Sequence, residues 1–468
     1  MNESLQIALD RSAKTSLAEQ IRMAIKTAIE RGVLAPGGRL PSWLDLAAQL
    51  GVARGTVREA YDRLSDAQLI VASRAAGTRV AERPPAPLAA EHPPDPGSFM
   101  AMYSELTAGP AIFQMGVPAH ETLPAKLFAK VRSFALRAES SASVVYPDPR
   151  GEPELRREIA AYLAIARGIA CSPTQVIVTS GFSGALGLVL RALDLDGRKA
   201  WVEDPGFPFT RHGLALANLA LAPVPVDANG MNVDYGLRYE PDAALVVVTP
   251  GQQAPLGPTL SLARRLQLLE WAAKQNVWII EDDYLSDLQL TGRAAPALAA
   301  LDRGHRVIHI GSFSKTISPA LRLGFVVVPL PLVSRMAEVA ACLAPAPWPS
   351  VQLATAQFMR DGHYLRHLRR LKRLYSAQRE TLLACLAQHA FETATSGLGV
   401  LVRVPDGASD VAITRELRQF GLGPAPLSPW FMSPSSARSG LLLGVATSPE
   451  RSVVRACEKL REVIARFA

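Results

Sequence analysis

The chain has 468 residues, too many for one ordinary domain and enough for two or three. With 49% hydrophobic and 20% charged residues it reads as globular rather than disordered, and no run approaches the roughly 18 uninterrupted apolar residues of a membrane helix. The net charge of +8 permits a nucleic-acid partner without requiring one, and four widely spaced cysteines exclude a zinc or disulfide framework and point to a reducing cytoplasm. The first residues, MNESLQIALDRSAK, contain no apolar segment of the kind a signal peptide carries, so a soluble chain is expected.

Ser16-Leu-Ala-Glu19 is a capping box that opens an amphipathic helix ending at Gly32, with Leu17, Ile21, Ala24, Ile25, Ala28 and Ile29 on one face. A Gly/Pro turn leads to Pro41-Ser42, where Ser42 caps a second, short helix that Gly51 stops. A third run buries Val57, Ala60, Tyr61 and Leu64 and leaves Arg54, Thr56 and Arg58 exposed near its start. That is where a recognition helix presents side chains to a major groove. Leu69 to Val80 alternates around a glycine turn at Gly77, as a β-hairpin wing does, with Arg74 and Arg79 available to phosphate or minor groove.

Residues 82–111 begin with a proline-rich stretch of linker composition. From residue 112 onward apolar runs alternate with amphipathic helical runs. The strand candidates are Val176–Thr179, Lys199–Glu203, Leu245–Thr249, Val277–Ile280 and Val307–Ile310. Unbroken apolar strands are buried on both faces, so a mostly parallel, helix-covered sheet is expected, with ligands at the loops after its strand ends.

The motifs fall at those loops. Thr179-Ser-Gly181-Phe182-Ser183-Gly184 leaves a strand and opens a helix, so its backbone N–H groups can hold a phosphate. Asp204-Pro-Gly-Phe207 can lay an aromatic ring over a flat ligand. Glu281-Asp282-Asp-Tyr284 supplies a carboxylate and a hydroxyl, and Gly311-Ser312-Phe-Ser-Lys315 supplies an amine, with Arg322 seven residues further on. Each alone is commonplace; an isolated Lys315 is normally a solvated surface lysine. In this order they match what pyridoxal phosphate needs: an amine for its aldehyde, an acid for its ring nitrogen, and cations and donors for its phosphate.

Residues 14–81 resemble the winged-helix domains of the GntR family of bacterial regulators, through Gly-Arg-Leu-Pro-Ser42, Leu-Gly-Val-Ala-Arg54-Gly-Thr56-Val-Arg58 and Gly77-Thr-Arg79-Val. Residues 112–466 resemble fold-type I aminotransferases. The whole chain is similar to the MocR/GabR subfamily, in which the two are fused. The resemblance implies a multidomain fold: a winged helix-turn-helix over residues 1–81, a linker over 82–111, and an α/β aminotransferase-like domain over 112–468. It further implies that Lys315 forms the internal aldimine with pyridoxal 5'-phosphate. Asp282 pairs with the ring nitrogen, Tyr284 reaches the phenolic oxygen and Phe207 stacks on the ring. Gly181, Phe182, Ser183, Ser312 and Arg322 surround the phosphate, and Tyr146 reaches it from the partner of a homodimer. Arg438 corresponds to the arginine that grips a ligand carboxylate.

Three departures stand out. Leu44 replaces the DNA-contacting arginine of the family's Leu-Pro-Ser-x-Arg, Ala254 replaces the asparagine of Asn-Pro-x-Gly, and Ser183 replaces a glutamine. The expected protein is a cytoplasmic regulator that binds a double-stranded DNA operator and senses a small amino compound by external aldimine formation. An active aminotransferase with an attached DNA-binding domain and a direct sensor of free pyridoxal phosphate are the competing expectations.

Overall fold

The computed structural model describes residues 7–73, 77–82, 97–119, 122–141, 146–292, 294–433 and 436–467. The chain divides into two compact units, Met1–Ser98 and Phe99–Ala468.

In the first unit, three helices, α1 (Leu17–Glu30), α2 (Trp43–Leu50) and α3 (Arg54–Asp66), precede an antiparallel hairpin of β1 (Ile70–Ser73) and β2 (Gly77–Val80). Ile21, Ile25, Leu46, Val57, Leu64, Ile70 and Val80 close one core, each buried side chain contributing on the order of 1.5–3 kcal/mol. The helix ends follow the sequence signals. Ser16 Oγ accepts from Glu19 N–H at 3.3 Å and Ser42 Oγ from Asp45 N–H at 3.1 Å. Gly51 ends α2 at φ +62°, a left-handed conformation that costs glycine nothing. Only half of the expected capping box forms at α1, because the Glu19 carboxylate turns to Arg22 at 2.5 Å and Arg63 at 3.2 Å instead of its own helix start.

Helix α4 (Gly97–Thr107) lies inside the segment read as linker, and all but its first two residues belong to the second unit. Its aromatic residues explain it: Phe99 stacks on His212 at 3.7 Å and Tyr103 on Phe209 at 5.3 Å, contacts that proline-rich composition upstream conceals. Helices α5 (Ala125–Ser140) and α6 (Pro153–Ala166) follow, and then an eight-stranded sheet. Its strands are β3 (Val176–Thr179), β4 (Lys199–Asp204), β5 (Ala220–Asp227), β6 (Gly230–Met231), β7 (Leu245–Val248), β8 (Trp278–Asp283), β9 (Val307–Ser312) and β10 (Gly324–Val327). The order is β3-β10-β9-β8-β7-β4-β5-β6. Strands β9, β8, β7, β4 and β5 run parallel, β10 runs antiparallel between β3 and β9, and β6 is an antiparallel edge. Both faces are covered, as the unbroken apolar runs require: Leu245 and Val247 enter one core, Val246 and Val248 the other. Helix α7 (Gly181–Leu193) leaves β3 and α8 (Pro208–Leu216) leaves β4.

A smaller antiparallel sheet completes the unit, with β11 (Thr393–Ser396), β12 (Gly399–Arg403), β13 (Ala425–Pro426) and β14 (Gly440–Gly444) in the order β11-β12-β14-β13. Among the described residues no helix is long and apolar enough to cross a membrane.

Candidate functional site

In the first unit, Arg54 and Arg58 stand exposed on the first turns of α3, and Thr56 between them is half-buried. Among the described residues their guanidinium groups have no partner apart from a loose Arg58–Asp62 pair at 4.0 Å. The wing differs from expectation. Arg79 Nη1 donates to the Gly37 carbonyl at 2.9 Å, so this arginine braces the wing against the turn before α2 rather than standing free. Gly77 lies at φ +72° where the hairpin returns, and Arg74 lies outside the described residues. Ser42 is spent as the α2 cap, and Leu44, the second residue of α2, is 44% exposed where the family pattern carries arginine.

In the second unit the predicted residues converge at the C-terminal ends of the parallel strands. Lys315 lies three residues beyond β9 and is half-buried. Burial lowers its pKa, Asp282 opposes that shift, and Arg322 adds to it. Asp282, near the end of β8, is 9% exposed. Burial lifts its pKa to about 7 against the pull of Lys315, with Asp283 and Glu203 adding to the rise. A buried carboxylate in that condition gains strongly from a cationic partner. Tyr284 follows on the same strand end, and burial raises its pKa. Phe207 caps α8 beside Trp430, ring centroids 5.6 Å apart.

The phosphate side forms where β3 enters α7. Gly181 opens α7 at φ +78°, and a Cβ there would meet the Arg322 guanidinium carbon at 3.9 Å. Arg322 Nη2 reaches the Ser180 carbonyl at 3.3 Å. The first-turn N–H groups of Gly181, Phe182 and Ser183 have no helical acceptor. Ser312 Oγ accepts from Ser314 N–H at 3.1 Å and donates to Ser314 Oγ at 3.0 Å.

The acids flanking Asp282 serve a different face, because side chains alternate along β8. Glu281 accepts from the N–H groups of Leu298 at 2.6 Å and Ala299 at 2.9 Å, and from His309 Nδ1 at 3.0 Å. Asp283 accepts from Arg167 Nε at 2.7 Å. Burial works against charge on His309, but Glu281 and Asp283 outweigh it and raise its pKa.

Comparison with known proteins places the chain. Residues 113–422 match the aminotransferase class I and II model, and residues 17–80 match that of the gntR family of bacterial regulatory proteins. The chain is 31% identical to the probable rhizopine catabolism regulatory protein MocR of Rhizobium meliloti, over 97% of its own length and 95% of that protein's. It is also 31% identical to the pyridoxine biosynthesis transcriptional regulator PdxR of Corynebacterium glutamicum, over 96% of each. An archaeal alanine:glyoxylate aminotransferase superposes with a TM-score of 0.71 at 25% identity, over 79% of this chain and 95% of that one. This chain belongs to the MocR/GabR subfamily of GntR regulators.

It is therefore a transcriptional regulator with a DNA-binding winged helix and a fold-type I aminotransferase domain, a class that depends on pyridoxal phosphate. Two predicted residues stand exposed on the single chain, one of them, Tyr146, expected to act from the partner subunit. Tyr146 is 97% exposed. Arg438 is exposed two residues ahead of β14, with no hydrogen bond or ion pair among the described residues. The β14 residue that packs with Phe207, Tyr284 and Ala254 is Leu442. Nothing in Ala437-Arg-Ser-Gly-Leu-Leu-Leu marks which of these residues the strand turns inward.

Sequence reasoning also missed Glu203. Its Oε2 accepts from the Thr249 hydroxyl at 2.6 Å and from Gln253 Nε2 at 3.4 Å, and its Oε1 from Thr249 N–H at 3.2 Å. Burial lifts its pKa to about 7 against those hydrogen bonds. An acid closing the apolar run of β4, just before Asp204-Pro-Gly, was the available signal.

Proposed function

We propose that this regulator holds pyridoxal phosphate at Lys315, senses a small amino compound there, and couples that occupancy to its grip on a DNA operator. The observation that carries the reading is the convergence of the Lys315 amine, the buried Asp282 carboxylate and the Gly181–Arg322 turn on one set of strand ends. Bound there, the cofactor supplies an aldehyde carbon that condenses reversibly with primary amines. Lys315, its pKa depressed by burial, has an increased share of the neutral, nucleophilic form near neutral pH. Asp282 would keep the ring nitrogen protonated, Tyr284 would donate its hydroxyl to the phenolic oxygen, and Phe207 would pack against the ring. The N–H groups of Gly181, Phe182 and Ser183, with Ser312, Arg322 and the α7 dipole, would hold the phosphate.

Tyr146, almost fully exposed on one chain, supports a homodimer in which it reaches the partner's phosphate. Ala254 brings no side-chain donor to the phenolic oxygen, which favours a sensor over an enzyme that turns over. DNA contact falls to Arg54, Thr56 and Arg58. An occupant shifts operator affinity only through a difference in its binding to the two functional states.

A second reading, in which pyridoxal phosphate is itself the signal, draws support from the apolar Leu442 and from the relative named as a pyridoxine biosynthesis regulator. Borohydride reduction of the cofactor-loaded protein followed by peptide mapping tests the common core. An adduct on Lys315, absent in Lys315→Ala, is expected; an adduct on another lysine overturns the assignment. Operator titrations with the cofactor alone and with added amines separate the two readings.

A further inference from the structure

Phe207 and Tyr284, the residues read as flanking the cofactor, pack in one apolar cluster with side chains from several parts of the second unit. Ala254 and Leu256 come from the turn after β7, Leu401 from β12, Leu427 from just past β13, and Leu442 from the middle of β14. Leu442 is 0% exposed, and its β14 neighbours Leu441 and Leu443 pack into a different core. Strand alternation thus sends Leu442 alone of the three into the cluster that holds Phe207 and Tyr284.

Among the described residues, the arginines that could answer a ligand acid are hydrogen-bonded to protein groups or exposed. Arg211 lines the cavity with Phe207, Glu203 and Asp282, but its Nη1 donates to the Trp430 carbonyl at 2.8 Å and its Nη2 to the Pro429 carbonyl at 2.7 Å. Arg167 is paired with Asp283, Arg322 lies against the Gly181 turn, and Arg438 is exposed. A carboxylate pressed against Leu442 and Ala254 loses its water without gaining a donor, a heavy penalty for an ionised group. An aliphatic or aromatic group in the same place gains from burial.

We propose that the amino compound read at this site is a primary amine with an apolar aliphatic or aromatic body and no carboxylate, and that Leu442 and Ala254 set this selectivity. The inference rests on the cofactor-holding reading above and deepens it by naming the ligand class.

The test uses the full-length protein loaded with pyridoxal phosphate and isothermal titration with pairs that differ only in the acid: 3-methylbutylamine against leucine, and 2-phenylethylamine against phenylalanine. Each amine is expected to bind at least about tenfold more tightly than its amino acid. Leu442→Arg is expected to reverse that order, while Leu442→Met preserves it. The wild-type comparison stands even if the arginine variant fails to fold. Amino acids that bind wild type as well as or better than the amines overturn the proposal. So does the absence of any amine binding to protein whose cofactor is shown to sit on Lys315, which leaves the cofactor as the ligand. If reduction and mapping find no cofactor on Lys315, the underlying reading fails first, and the two failures are told apart by that measurement.

Discussion

Asp282 and Glu203 are two carboxylates in one buried neighbourhood, each with its pKa lifted to about 7, chiefly by burial. Between its ordinary value and about 7, each binds a proton in the folded chain that it releases in the unfolded one. The cofactor-free protein should therefore lose stability as pH rises through roughly 4 to 7, with the full loss present above that window. Asp282→Asn should flatten part of this slope, and pyridoxal phosphate should restore stability above pH 7 by supplying a ring cation. Melting curves across pH with and without cofactor check both, and a wild-type slope unchanged in Asp282→Asn refutes the assignment. On the DNA side, Arg58→Ala should cost roughly 1–3 kcal/mol of operator affinity and relax specificity at one base pair if Arg58 reads a base. Arg79→Ala should act through the wing, since its guanidinium is bonded to Gly37; a gel-shift comparison across operator variants distinguishes the two. Lys315, Asp282 and Tyr284 were legible because each follows an apolar run whose strand end fixes its place. Leu442 was not, since a string of leucines carries no register.

At the level of elements, the three helices and the hairpin of the first unit could be read from caps and glycine stops, and the cap at Ser42 is open to measurement. Ser42→Ala should destabilise the first unit by about 1 kcal/mol, because Asp45 N–H loses its acceptor at an exposed helix start. Urea unfolding followed by Trp43 fluorescence would show no shift if the cap contributes nothing. The parallel strands β4, β7, β8 and β9 were legible from their apolar runs. Among the strands that were not, two show why. β5 contains Pro223 and Pro225, which ordinarily argue against a strand and are tolerated here because its outer neighbour, β6, pairs over only two residues. β10 reads as another buried run, and nothing in Gly324–Val327 marks it as antiparallel. The acids of β8 show what alternation adds: Glu281 and Asp283 are tied from one side by His309, Arg167 and a short helix, while Asp282 faces the other.

For the whole molecule, two units with separate cores imply two unfolding events. Calorimetry should resolve two transitions, and pyridoxal phosphate should raise only the one belonging to the second unit, since a ligand stabilises what binds it. A single transition that shifts as a whole would contradict this. The cluster around Phe207 and Tyr284 draws on Met115, Ala254, Leu401 and Leu442, so the strand ends of the large sheet and the small C-terminal sheet must both be in place before the proposed ligand site exists. No early fragment of the chain can build it. Responsiveness is thus a certificate of completed synthesis: a regulator stalled, clipped or misfolded anywhere between those residues keeps its DNA-reading helices but is deaf to the signal.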